Sequence, residues 1–208
     1  HHSTGPCTCG ARPLNSNVSR LMNLRHANLA DAESIAELHA ASWRSTYAAA
    51  LDAAYLTKVA PSERRQVWTE RLESPKSNQF VLVAEIQDSI AGFACAFANH
   101  HKAWGSYLEN LHVSPAWQGK GIGRALLVQA AQCCDSQSPG VGLYLSVNQD
   151  NRQAQGFYLH LGASNSEPGV WNAPEGSKVP TFWFTWSSAS TLVKAANPSI
   201  ERLSLIHI

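Results

Sequence analysis

One stretch of this chain, residues 111–127, constrains the fold more than any other. It runs through strand formers, a turn marked by proline, closely spaced glycines and then the apolar spacing of a helix. A glycine-rich loop at the start of a helix exposes several backbone N–H groups together with the positive end of the helix dipole. The pattern therefore predicts a strand–loop–helix unit whose loop binds phosphate.

The spacing of the glycines excludes two common phosphate loops. A P-loop requires Ser or Thr directly after its lysine, whereas Lys120 is followed by Gly121. A dinucleotide-binding loop requires a third glycine three residues after the second, and Arg124 occupies that position. What remains is Gln/Arg-x-x-Gly-x-Gly/Ala, with Gln118, Gly121 and Gly123 at the fixed positions. An ordinary strand–helix connection that uses glycine for a tight turn is the alternative.

A second segment favours the phosphate-binding interpretation. Residues 142–147 are rich in strand formers, and the turn that follows ends at Asn151, a good helix N-cap. Apolar side chains then recur at helical spacing as far as Gly162, where a helix C-cap belongs. The two segments, in this order, resemble the two signature motifs of the GNAT superfamily of N-acetyltransferases, whose cofactor is acetyl-CoA. Ala163 stands where the family usually has Phe.

The resemblance covers most of the chain and implies an α+β fold. In this layered, α/β/α-like architecture, helices flank a mixed, mostly antiparallel sheet with a splay between strands four and five. A hairpin-like turn at residues 87–89 should join the second and third strands. Strands are expected near 24–28, 80–86, 90–98, 107–113, 142–147, 163–170 and 181–186. Helices are expected near 30–38, 42–47 with 51–56, 61–72, 122 onward and 151–161.

The two ends of the chain differ from its middle. The only methionine is Met22, and residues 1–21 show neither an apolar period nor the apolar core of a signal peptide. We expect a non-native or disordered leader over 1–21, the acetyltransferase domain over 22–188, and a disordered or artefactual tail over 189–208. Whether residues 1–21 and 203–208 belong to the natural protein stays open.

Composition excludes several classes of partner. The chain has 16 Lys and Arg against 15 Asp and Glu, so it lacks the basic charge typical of proteins that bind nucleic acid or membrane surfaces. No apolar run approaches transmembrane length. The adjacent Cys133 and Cys134 would point apart on a helix, which predicts reduced thiols. No metal-ligand spacing is present. We therefore expect a cytoplasmic protein with no metal, nucleic acid or membrane partner.

The resemblance also implies where acetyl-CoA binds. Its pantetheine arm should pair with the main chain at the splayed end of the fourth strand, where a backbone N–H polarises the thioester oxygen. Its pyrophosphate should bind the glycine loop, with Lys120 and Arg124 either adding charge or remaining solvated. The cofactor-binding residues implied are Leu111, His112, Val113, Gln118, Gly119, Lys120, Gly121, Ile122, Gly123, Arg124, Asn151 and Tyr158.

Two residues carry the expected proton transfers. Tyr158 matches the family tyrosine that donates a proton to the departing thiolate, and its alternative is a core aromatic residue. Glu109 is the candidate general base, and its alternative is an ion pair with a neighbouring basic residue. His112 is a second candidate base, which strict alternation places on the opposite face from Glu109. Ser146 replaces the acid that some members carry on strand five, which disfavours protein N-terminal acetylation by that arrangement.

The acceptor cannot be identified from the sequence. Trp43 and Trp104 are the preferred pocket residues among the aromatic side chains, for which core packing is the alternative. The predicted function is direct transfer of acetyl from acetyl-CoA to a primary amine of a small molecule or peptide. A non-catalytic CoA-binding sensor or scaffold and an acyltransferase for longer acyl-CoA remain alternatives, and a homodimer stays open.

Overall fold

The computed structural model of the protein describes residues 16–197, and a single seven-stranded sheet organises them. The strands are β1 (Met22–His26), β2 (Gln79–Ile86), β3 (Ser89–His101), β4 (Gly105–Val113), β5 (Leu143–Asn148), β6 (Ser164–Asn172) and β7 (Lys178–Trp186). Their order across the sheet is β1-β2-β3-β4-β5-β7-β6. All neighbouring pairs are antiparallel except β4 and β5, which are parallel. The predicted fold class is therefore confirmed.

Helices cover both faces of the sheet. They are α1 (Ser16–Leu21), α2 (Ala32–Thr46), α3 (Ala60–Glu73), α4 (Ile122–Gln137), α5 (Arg152–His160) and α6 (Ala189–Ala196). On one face, Ile35 of α2 and Trp68 of α3 share a buried cluster with Phe93. On the other, α4, α5 and α6 contribute to a larger cluster, for example through Leu126 and Phe157. No helix within residues 16–197 has both the length and the apolar character needed to cross a membrane.

Helix α2 is longer than the sequence predicted. The expected break between residues 38 and 42 is absent, because Ile35, His39 and Trp43 keep one buried face continuous across residues 40 and 41. A wider helical turn over Tyr55–Val59 then leads into α3. Pro61 lies in the first turn of α3, where a missing backbone N–H leaves no helical hydrogen bond unmade.

A β-bulge interrupts the pairing of β3 with β4. Cys95 lies opposite Asn110, and the next residue, Ala96, lies opposite Leu108. Glu109 is therefore an extra residue on β4. Such an insertion shifts the alternation of all side chains that follow it.

The bulge overturns the predicted arrangement of side chains on β4. Strict alternation placed Glu109 on one face with Leu111 and Val113, and His112 on the other. In the structure Leu111 and Val113 pack in the cluster under α4, whereas Glu109 contacts α3 and His112 contacts α2. Glu109 and His112 thus share the face covered by α2 and α3.

The sheet opens between β4 and β5. The ladder between these parallel strands consists of two residue pairs, Ser106 with Leu143 and Tyr107 with Tyr144. The rest of β4, including its end at Val113, diverges from β5. This confirms the predicted splay.

Two helices, α1 and α6, lie just beyond the expected domain limits of 22 and 188. Val18 of α1 is 7% exposed and packs in the main core, before the first strand begins. In α6, Ala189, Leu192 and Ala196 are buried at helical spacing in the same core. These two helices, which fall within the expected leader and tail, thus pack their apolar residues on the core of the domain. The remaining parts of both expectations, residues 1–15 and 198–208, lie outside the described residues.

Candidate active site

A cleft of about 770 Å³ lies at the mouth of the splay. It is lined by the end of β4 at Val113, by Gln118 and Gly119 of the glycine loop, by Asn151 at the start of α5, and by Ser42 of α2. The cleft therefore brings together the strand end, the loop and the helix N-terminus that the two sequence motifs predicted.

The glycine loop turns sharply through left-handed backbone. Gly119 has φ 74° and Gly121, the N-cap of α4, has φ 86°, a region in which glycine is strongly favoured. A Cβ atom at Gly119 would meet no atom within 4 Å. The side-chain amide of Gln118 donates to the carbonyl of Val113 at 3.0 Å, which fixes the loop to the strand. The loop is thus held in place while its backbone borders the cleft.

The two basic residues of the loop have other contacts. The Nζ of Lys120 lies 6.0 Å from the centre of the Trp117 ring. The guanidinium of Arg124 donates to the carbonyl of Ala196 at the end of α6. Gly121 and Arg124 border a separate hollow of about 360 Å³ beside α6. Ile122 and Gly123 are buried in the first turn of α4.

His112 contributes a buried imidazole beside the cleft. Its ring is 1% exposed and packs 4.8 Å from the ring of His39 and 5.2 Å from that of Phe93, measured between centroids. Its Nδ1 is hydrogen-bonded to the hydroxyl of Ser42 at 2.8 Å. Burial lowers the pKa of His112 to about 3, so its imidazole is neutral and weakly basic near pH 7. This disfavours His112 as the general base.

Glu109 is paired with Arg71 of α3. Its Oε2 lies 2.6 Å from Nη1 of Arg71, and its Oε1 accepts from Nη2 at 2.9 Å. Although burial opposes the charge of the guanidinium, the nearby carboxylate raises the pKa of Arg71 above its ordinary value. The ion pair weighed as the alternative for Glu109 is thus present, and the base role stays a prediction.

The helix α5 carries the other two residues of the predicted site. The Asn151 side chain accepts from the N–H of Ala154 at 3.0 Å and caps the helix as predicted. Tyr158 is fully buried, with its ring edge-on to Phe184 and Trp186. Its packing is that of a core aromatic residue, and its acid role stays a prediction.

The two tryptophans predicted for the acceptor pocket lie in different clusters. Trp43 is fully buried against Tyr47 and Trp171, and the guanidinium of Arg64 lies 4.4 Å from its ring centre. This cluster joins α2 to β6. Trp104 is half-buried just before β4, 5.5 Å from Tyr144. The structure does not bring Trp43 and Trp104 together.

Sequence reasoning missed two arginines near the site. Arg64 and Arg71 lie on α3 on either side of Trp68, which is fully buried. The spacing of 64, 68 and 71 places all three on one helix face, and this pattern could have identified them. Within residues 16–197, no group of three or more His, Cys, Asp or Glu side chains could hold a metal ion.

Two proteins are similar in sequence to parts of this chain. An uncharacterised N-acetyltransferase of Bacillus subtilis, YuaI, is 30% identical over 115 residues, which make up 54% of this chain and 64% of that protein. The streptothricin acetyltransferase of Streptomyces lavendulae is 37% identical over 92 residues, 43% of this chain and 46% of that protein. The chain thus spans less than two thirds of the length of either relative.

A solved structure and a family model extend the comparison. The PaiA N-acetyltransferase of Thermoplasma acidophilum, in complex with coenzyme A, has the same fold, with a TM-score of 0.60 and 20% identity over 77% of this chain and 97% of that chain. The model of the acetyltransferase (GNAT) family matches residues 33–163, more than half of this chain and a span that includes the glycine loop and α5. The chain therefore belongs to the GNAT family of acetyltransferases.

Proposed function

We propose that the protein transfers the acetyl group of acetyl-CoA directly to a primary amine. One observation carries this proposal: the β4–β5 ladder ends at Tyr107, and the glycine loop follows β4 after a single 3-10 turn at Pro115–Trp117. A single cleft therefore offers both a strand edge for the amides of pantetheine and a turn for pyrophosphate. Bound acetyl-CoA supplies an activated thioester. The amine nitrogen bonds to its carbonyl carbon as the carbon–sulfur bond breaks.

The main chain performs the binding in this proposal. Leu111, His112 and Val113 pair with the pantetheine arm, and an N–H of the strand end polarises the thioester oxygen. Residues 118–124 bind pyrophosphate through backbone N–H groups rather than through the side chain of Arg124, which is engaged with α6. The coenzyme A complex of the similar PaiA protein supports the choice of cofactor.

Two side chains carry the proton transfers. Glu109 accepts the amine proton through water at Oε1, which accepts one hydrogen bond from Arg71 and retains a second lone pair. Its Oε2 accepts from both Arg71 and the side-chain amide of Asn110. Tyr158 donates a proton to the departing thiolate. The bulge supports the first role, since it presents Glu109 two residues beyond the last β4–β5 pair.

The acceptor enters from the face covered by α2 and α3. Trp43 and Trp171 meet there between α2 and β6, and their indole N–H groups have no hydrogen-bond acceptor within residues 16–197. Buried donors of this kind suit an oxygen atom of the acceptor. The activity named for the streptothricin acetyltransferase supports a small-molecule amine as the first class to test.

The test has two stages. Calorimetry first measures binding of coenzyme A to the purified full chain, and the absence of binding would refute the proposal. Release of free thiol from acetyl-CoA is then followed across a panel of small amines and peptides. We expect turnover on at least one amine. Binding without turnover on the whole panel would favour a CoA-binding module, and faster turnover with longer acyl-CoA would favour a different acyl donor.

A further inference from the structure

We infer that Ser42 is a second binding site for the pantetheine arm, and that His112 positions its hydroxyl. The inference rests on the proposed function, because it takes the cleft as the cofactor site. It adds a side chain of α2 to the cofactor site, for which the sequence predicted residues of β4, the glycine loop and α5 only.

Ser42 lies where an arm on β4 would pass. It is half-buried in α2 and lines the cleft together with Val113, the last residue of β4. Its hydroxyl lies 2.8 Å from Nδ1 of His112, the neighbour of Val113. An arm paired with the main chain of residues 111–113 would therefore have β4 on one side and the Ser42 hydroxyl on the other.

The protonation of the two buried histidines determines which partner donates in the hydrogen bond between Ser42 and His112. The indole N–H of Trp68 donates to Nδ1 of His39 at 2.9 Å, so neutral His39 carries its own proton on Nε2. The Nε2 atoms of His39 and His112 are buried, and neither has a hydrogen-bond partner within residues 16–197. A proton on Nε2 of His112 would be a buried N–H without an acceptor, whereas a proton on Nδ1 is donated to the hydroxyl of Ser42, so we place the proton on Nδ1.

In that tautomer His112 donates to Ser42, and the hydroxyl hydrogen of Ser42 is left for the cleft. The group that complements it is a carbonyl oxygen, and the pantetheine arm carries two amide carbonyls. Because His112 is buried and neutral, it fixes the hydroxyl without adding charge to the cleft. We therefore assign Ser42 as a donor to an amide carbonyl of the arm and His112 as its positioning residue.

Calorimetry with two ligands tests this assignment. Coenzyme A carries the arm, and adenosine 3′,5′-bisphosphate lacks it. Ser42→Ala and His112→Phe should each raise the Kd for coenzyme A about fivefold, as expected for one neutral hydrogen bond. His112→Asn should stay near wild type, because its amide reaches the position of Nδ1. None of these variants should change the affinity for the bisphosphate.

Two further variants sharpen the result. Ser136→Ala, an exposed serine of α4 outside the cleft, should leave both affinities unchanged. The double variant Ser42→Ala/His112→Phe should bind coenzyme A no more weakly than either single variant, since the residues act as one unit. If His112→Phe fails to fold, Ser42→Ala decides alone.

The opposing outcomes are distinct. An unchanged Kd for coenzyme A in Ser42→Ala overturns the assignment. So does an equal loss of affinity for both ligands, which would show that the substitution acts away from the arm. Failure of the wild-type protein to bind coenzyme A would refute the proposed function itself.

Discussion

Arg71 and Glu109 form a two-bonded ion pair between α3 and the bulge of β4, with nitrogen–oxygen distances of 2.6 and 2.9 Å. The side chain of Glu109 is only 1% exposed, so its charge depends on Arg71 rather than on water. The ion pair therefore depends on the bulge, because the extra residue turns the carboxylate of Glu109 toward α3.

Removing the arginine should destabilise the fold. Arg71→Met leaves a buried carboxylate without its partner, and we expect the free energy of unfolding to fall by about 3–5 kcal/mol in urea titrations. The matched control is Arg65→Met, which breaks the solvent-exposed pair of Arg65 with Glu33 and should leave stability nearly unchanged. Equal losses of unfolding free energy in the two variants would show that burial does not set the contribution of the Arg71–Glu109 pair to stability.

Glu109→Gln tests the general base. The amide keeps the shape of the side chain but cannot take a proton, so turnover with a productive amine should fall about 100-fold. The Kd for coenzyme A should stay close to that of the wild type. Assays belong at a temperature where circular dichroism shows the variant fully folded. A turnover within twofold of wild type would remove Glu109 from the mechanism.

Tyr158→Phe tests the general acid. The ring keeps its contacts with Phe184 and Trp186, so stability and cofactor affinity should change little. Turnover should fall at least about 100-fold, because the thiolate loses its proton donor. Steady-state kinetics together with calorimetry separate the two effects. An unchanged rate would leave Tyr158 as a core residue only.

Gly121→Val tests the glycine loop. A valine at φ 86° strains the backbone by about 1–2 kcal/mol and distorts the start of α4. Gly140→Val is the control, because Gly140 has a similar φ of 77° and open space around it but lies outside the glycine loop. Both variants should lose stability, whereas only Gly121→Val should weaken coenzyme A binding in calorimetry. Equal affinities would place the pyrophosphate elsewhere.

Acid should destabilise the protein through its buried histidines. Burial lowers the pKa of His112 from 6.5 to about 3, and the pKa of His39 shifts in the same direction. The unfolded chain therefore binds more protons than the folded one below pH 6.5. Stability is fully present above that pH and is lost as the pH falls toward 3.

The measurement compares urea unfolding at pH 7 and pH 5. In the wild type each histidine should lower the free energy of unfolding by up to about 1.4 kcal/mol for each pH unit below 6.5. His112→Asn should reduce this pH dependence by one histidine's share, while His39 retains its own. The same pH dependence in wild type and variant would show that His112 gains its proton in the folded state.

Local chemistry explains what could be predicted from the sequence. Asn151 caps α5, and Gly162 takes φ 86° just after it, because turn and cap residues act through their immediate neighbours. The hairpin between β2 and β3 formed as expected, with Gln87 and Asp88 both at positive φ, the combination typical of a type I′ turn. These features depend on a few adjacent residues.

Contacts between residues far apart in the sequence explain the features that could not be predicted. The extra residue at Glu109 exists only relative to its partners on β3, so alternation along β4 alone assigned the wrong faces. The helix α6 has eight residues, too few to be stable in isolation, and it depends on docking through Leu192. The engagement of Arg124 follows from that docking. None of these contacts is encoded within a short window of sequence.

The divergence of β4 from β5 after two residue pairs also bears on aggregation. An exposed strand border at a protein surface can template pairing with other chains and lead to aggregates. Here the unpaired length of β4 beyond Tyr107 lies within the sheet, between β3 and the diverging β5, and not at the outer edges formed by β1 and β6. A strand of another protein molecule would have to insert between β4 and β5 to pair with it, so we expect intermolecular β-pairing to be weaker here than at an outer edge.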